Sequence, residues 1–145
     1  MNLKYYYHLT QKIWPNNIIL KPKEIFNKSD DEPNIHRICV SPTIKECLMA
    51  LGSTLWYRNS IFIFRTKYKI KSSPCFGVID SHLTNERWIL KPCNFIKIGK
   101  IKPNSLPKEL YLTDTGHKDF LSDQRKLSKI LDNIDLEQLI QKYPY

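Results

Sequence analysis

The chain is poor in alanine and glycine and has no long apolar run. Alanine occurs once, at position 50, and glycine four times. Four scattered glycines cannot build a phosphate-cradling loop, so the Gly-rich nucleotide fingerprints are excluded. The longest apolar runs are four or five residues, such as Ile61-Phe62-Ile63-Phe64. A membrane helix needs about 20, so no membrane partner is expected. The opening Met-Asn-Leu-Lys-Tyr-Tyr-Tyr-His has no apolar h-region and no small-residue cleavage site, which argues against a secretory leader and for a cytoplasmic protein. None of the four cysteines forms a Cys-x-x-Cys pair, so they are expected to be reduced and buried. His36 and Cys39 have a spacing that zinc could use, but no second pair follows and no metal is expected.

What remains is a globular composition: 145 residues, 41% apolar and 26% charged, enough for one domain. Lysine and arginine outnumber acids by 23 to 14, giving +9. The excess lies in a basic body, residues 1–118, followed by a slightly acidic tail, 119–145. Such a body favours a partner that carries phosphate, a nucleotide or a nucleic acid. Most of the cations are lysine, which serves solubility equally well. Lys, Asn and Ile are abundant, all with AT-rich codons, which suits a low-GC bacterium or its phage.

Along the chain, Leu3 to Leu9 reads as a Tyr-rich strand, Gln11 to Pro22 as a connection with a helical turn, and 23–36 as a polar loop. Arg37 to Val40 is a short strand. Ser41-Pro42-Thr43 opens a helix: Thr43 and Glu46 fit a capping box, and Ile44, Cys47, Leu48 and Leu51 form one stripe. Ser60 to Lys71, Cys75 to Ile79, Arg87 to Leu90 and Phe95 to Ile101 read as strands, with a last short one over Tyr111 to Thr113. Asp119 to Tyr143 reads as one or two helices. The expected fold is α+β: a small, mostly antiparallel core with one central helix and a C-terminal helical segment.

Three motifs compete for the chemistry. His8-Leu9-Thr10 and His82-Leu83-Thr84 are identical tripeptides. They resemble the two-histidine phosphoesterases, which act on cyclic phosphodiesters and RNA. The resemblance implies His8 and His82 as base and acid, with Thr10 and Thr84 on the phosphate. Asp114-Thr115-Gly116 spells the aspartic-protease triplet, but its flanks are polar and Asp-x-Gly is ordinary turn chemistry.

The third is an order of pieces. Tyr6-Tyr7-His8-Leu9-Thr10 ends a strand, Ile38-Cys39-Val40-Ser41-Pro42-Thr43 runs from strand into helix, and Glu86-Arg87-Trp88-Ile89-Leu90-Lys91-Pro92 carries a Glu into a late strand. This looks like the ADP-ribosyltransferase fold, over roughly residues 4–102. The resemblance implies NAD as ligand. It implies Tyr7, His8, Thr10, Ser41 and Thr43 around the nicotinamide side. Glu86, together with His8, would be catalytic, the Glu steadying an oxocarbenium-like transition state. Thr84 stands where that family often has an acid or amide, and Tyr57 is the candidate for its pocket tyrosine. Each residue also has a structural reading: His8 as a core histidine, Glu86 as a strand-edge charge, Ser41 and Thr43 as caps. The non-enzymatic alternative is a basic protein that binds a host protein or nucleic acid, with aromatics among lysines, such as Lys67-Tyr68-Lys69, as a stacking surface.

Overall fold

A computed structural model describes residues 4–23, 35–51, 55–68, 85–112 and 120–145. The elements run β1 (Lys4–Thr10), β2 (Asn17–Leu20), β3 (Ile38–Val40), α1 (Ile44–Leu51), β4 (Ile61–Tyr68), β5 (Arg87–Ile89), β6 (Cys93–Ile101), α2 (Lys108–Leu112), α3 (Phe120–Asp132), α4 (Leu136–Leu139) and β7 (Ile140–Lys142). This is the expected α+β fold, with every strand pair antiparallel.

The main sheet has the order β1-β4-β6-β2, and β7 joins β6 beyond β2. β3 and β5 form a separate ribbon in which Ile38, Cys39 and Val40 oppose Ile89, Trp88 and Arg87. Two isolated bridges tie the ribbon to the sheet. Tyr7 and Ser41 exchange backbone hydrogen bonds of 2.9 and 3.2 Å, and Lys23 and Arg37 exchange bonds of 2.9 and 3.1 Å. Tyr7 in the middle of β1 and Lys23 just after β2 therefore meet one edge of the β3 segment, and the strands close into a ring.

Alternation along the strands gives the sheet two packed faces. On one, Leu9, Ile61, Ile63 and Ile101 meet Leu48 of α1, Leu110 of α2, and Leu127 and Leu131 of α3. On the other, Tyr6, Leu20, Phe64 and Phe95 meet Ile38, Val40 and Ile89 of the ribbon, with Trp14 and Phe62 packed alongside. A β-bulge between Ile63 and Phe64 shifts the β4–β6 register, so Phe64 pairs Lys97 after Ile63 pairs Gly99. At Gly99 a Cβ would sit 2.8 Å from the Gln141 carbonyl oxygen, so glycine is what lets β7 approach.

α1 forms for the reasons legible in its sequence. The Glu46 amide donates to Thr43 Oγ1 at 3.2 Å, and that hydroxyl donates to Glu46 Oε1 at 2.8 Å. The stripe then buries Cys47 and Leu48 against β1 and α3.

Three local readings are corrected. Asn17–Leu20 is a strand, not a helical connection, because Asn17 to Leu20 pair with Ile96 to Cys93. Lys108–Leu112 is a helix, so Tyr111 is helical rather than in a strand; Pro107 supplies a first-turn start and Leu110 is fully buried. The tail does not stay helical to Tyr143, since Ile140–Lys142 turns into a strand on β6. The readings over 24–34, over Cys75 to Ile79 and beyond Tyr68 lie outside the described residues.

Candidate functional site

The junction of β3 and α1 gathers most of the residues singled out from the sequence. Tyr7 and Ser41 face each other through the bridge, and Ser41 is 2% exposed. Cys47 Sγ donates to the Tyr7 carbonyl at 3.2 Å. Burial pushes this thiol up to about 12, against hydrogen bonds from Ser41, and the carboxylates of Glu46 and Glu86 add to the rise. Cys47 is therefore a thiol at neutral pH and no nucleophile.

Glu86 stands just before β5, on the same side of the junction. Its Oε2 accepts a hydrogen bond from Trp88 Nε1 at 2.8 Å. The Arg37 guanidinium lies over the Trp88 ring, 3.9 Å from its centroid, and Arg37 is 2% exposed. Asn85 turns the chain with φ 52°, and its Nδ2 donates to Glu46 Oε2 at 2.6 Å. Arg87 Nη1 donates to the Asn85 carbonyl at 2.9 Å and to that of Glu86 at 3.3 Å. A continuous chain of contacts, Thr43 to Glu46 to Asn85, thus ties the start of α1 to the turn that presents Glu86.

His8 does not join this group. Cys39 pairs Trp88 on one face of the ribbon, while Ile38, Val40 and Ile89 face the aromatic core. His8 is on the core side. Its ring stacks on Trp14 at 5.7 Å with an 11° interplanar angle and meets Phe95 edge-on at 6.0 Å. Nδ1 lies 2.8 Å from the Cys39 carbonyl oxygen, which only accepts, so Nδ1 carries the proton. Burial is the main cause that lowers the His8 pKa below 6.5; Lys23 and Lys12 push the same way, against the Cys39 hydrogen bond. The neutral imidazole fills the gap along β3 between the Arg37 and Ser41 bridges.

Thr10 ends β1, where its Oγ1 accepts from the Lys12 amide at 3.1 Å, a turn role. Tyr57 lies elsewhere, edge-on to Tyr111 in a cleft of about 490 Å³ with Asn104, Leu106 and Lys108. His82, Thr84 and Asp114-Thr115-Gly116 lie outside the described residues. Among the described residues no cluster of His, Cys, Asp or Glu could hold a metal, and no helix is long and apolar enough to cross a membrane. Arg37, Asn85 and Trp88 were not singled out as site residues from the sequence; the one available signal was an arginine opening an otherwise apolar strand.

No protein-family model, curated protein or solved structure matches the chain. The functional reading therefore rests on the junction itself. It places two carboxylates beside a helix start, Glu46 held by Thr43 and Asn85 and Glu86 held by Trp88. Its cations are committed locally, Arg37 to Trp88 and Arg87 to two carbonyls. Carboxylate oxygens only accept hydrogen bonds, so such a set pairs with hydroxyl or amino donors.

Proposed function

We propose that the protein is an ADP-ribosyltransferase-like domain that binds NAD or a related nucleotide at the β3–α1 junction. The observation that carries the reading is convergence. The three segments that resemble that family, the end of β1, the β3–α1 turn and the Glu86 turn, are distant in sequence and meet around β3. Residues 41 to 86 would not be neighbours by chance of chain proximity.

In this reading NAD is the substrate: the bond from ribose C1′ to nicotinamide breaks, nicotinamide leaves with the electron pair, and an acceptor nucleophile or water bonds to C1′. Glu86 accepts from a ribose hydroxyl and stabilises positive charge developing on the sugar. Its hydrogen bond from Trp88 holds the carboxylate in one orientation beforehand. In this reading Thr43, exposed at the start of α1, meets the nicotinamide side, with the Tyr7–Ser41 backbone bridge behind it. His8 is a positioning residue: it fixes β3, and through it both Ser41 and the β5 partner strand, without reaching the ligand.

Thermal unfolding with NAD at low salt tests the binding. Ligand at about one hundred times its Kd stabilises by about 2.7 kcal/mol, a rise of several degrees. Glu86→Gln removes the carboxylate charge with little change in shape and should abolish nicotinamide release measured by chromatography. No shift with NAD in the wild-type protein would sink the reading and leave a binding protein without this chemistry.

A further inference from the structure

The helices cover only part of their face of the main sheet. Leu9, Ile61, Ile63 and Ile101 are buried beneath them. Further along the same strands the face lies open, and the register defines it. Tyr7, half-buried against the helix-side core, pairs Arg65, Arg65 pairs Ile96, and Ile96 pairs Asn17, so this row runs across β1, β4, β6 and β2 from the covered part of the face to the open part. The next row places Tyr5 opposite Lys67 and Ile19 opposite Asn94. Tyr5 is 46% exposed, Ile96 41% and Ile19 64%.

The chemistry of this face is aromatic, aliphatic and cationic. Arg65 lies 4.2 Å from the Tyr5 ring centroid, and Lys67 Nζ lies 5.5 Å from it. Arg65 Nε is buried without a hydrogen-bond partner among the described residues. The four strands contain no aspartate or glutamate. Among the described residues, no ion pair meets this cation pair, which lies against an exposed tyrosine on strands free of acids. A sheet that presents aromatics beside cations is a platform on which bases stack while phosphates meet the charges.

We propose that this open face, built on Tyr5, Arg65, Lys67 and Ile96, binds single-stranded nucleic acid. The site goes beyond the nucleotide reading and does not depend on it, since Glu86 and the β3–α1 junction are not part of it. The charge selects a polyanion, and the flat, exposed tyrosine selects a single strand, whose bases are free to stack. A duplex keeps its bases paired.

The test is fluorescence anisotropy of a labelled oligouridylate, at low salt and with salt increasing. The wild-type protein should bind it, and bind a duplex of equal length more weakly. Tyr5→Ala should weaken binding about tenfold, and Tyr5→Phe should restore it, since stacking needs the ring and not the hydroxyl. Arg65→Gln with Lys67→Gln should lower the magnitude of the log–log salt slope by about 1.4, the value for two single-strand phosphate contacts. Lys67→Gln alone, at an exposed position, should lower it by about half as much and guards against misfolding of the double variant. Lys126→Gln with Lys129→Gln, on exposed positions of α3, should change little. Equal loss from that control pair would mean unspecific attraction and overturn the site, as would no binding or equal duplex binding. Concentration-dependent self-association abolished by Ile19→Lys would overturn it too, because a second copy would then be the occupant. Glu86→Gln should keep the oligonucleotide affinity and Tyr5→Ala should keep the NAD shift, so failure of either site is read separately.

Discussion

Acidification should loosen the molecule through one residue, His8. In the folded protein its imidazole is neutral, enclosed by Trp14 and Phe95, and donates from Nδ1 to Cys39. Burial, with Lys23 and Lys12, holds its pKa below the 6.5 of a free histidine. The unfolded chain therefore takes up a proton that the native state resists. By linkage, the stability that depends on neutral His8 is complete above pH 6.5 and is lost as pH falls through the native pKa. Where only the unfolded state is protonated, the slope approaches about 1.4 kcal/mol per pH unit. Between pH 7.5 and 5.5 the loss is at most about 1.4 kcal/mol, or roughly 3–5 °C in Tm for a chain of this size. Other groups titrate in the same range, so the comparison needs His8→Phe, which keeps a ring and removes the donor. At pH 7.5 this variant should be less stable by about 1–3 kcal/mol, since the buried Cys39 carbonyl loses the imidazole. On going to pH 5.5 the gap to wild type should narrow by up to about 1.4 kcal/mol in denaturant titrations. A gap that is constant with pH, or that widens on acidification, would refute the argument.

Gly99→Ala should destabilise by about 1–3 kcal/mol in urea unfolding, because its Cβ would lie 2.8 Å from the Gln141 carbonyl and force β7 away from β6. Cys47, with its pKa near 12, should resist iodoacetamide at pH 8 in the native protein and react once unfolded, as peptide mass spectrometry would show. Thr43→Ala should cost about 1 kcal/mol in the same unfolding assay by removing the cap on the Glu46 amide, and Thr43→Ser should recover most of it.

Much of this fold was legible where local signals and tertiary packing agree. β1, β4 and β6 alternate strongly, and α1 carries its cap and its stripe together. The readings fail where a distant partner decides. Asn17–Leu20 is only four residues between Pro15 and Pro22, and its strand character comes from Cys93–Ile96. Ile140 continues the helical spacing of Leu136 and Leu139, yet the open edge of β6 takes it as a strand. Tyr111-Leu112 has β propensity, but Leu110 is needed in the helical layer and pulls these two residues into α2. The same limit applies to the site. Glu86 and the β3–α1 turn were visible as pieces. Sequence alone could not show that Asn85 joins them through Glu46, or that His8 faces the aromatic core. A repeated tripeptide says nothing about which side of a strand its histidine takes.

The closure of the strands on β3 bears on how the protein behaves when stressed. β3 is three residues long, yet the bridges at Arg37 and Ser41 hold the middle of β1 and the segment that follows β2. If that clasp opens, β1 presents a row of unsatisfied amides and carbonyls from a segment with three tyrosines and no acid. Chains in that state would find one another before they lose their helices. Light scattering should then rise ahead of the fall in helical circular dichroism on heating. In that sense the shortest strand serves as a guard against aggregation.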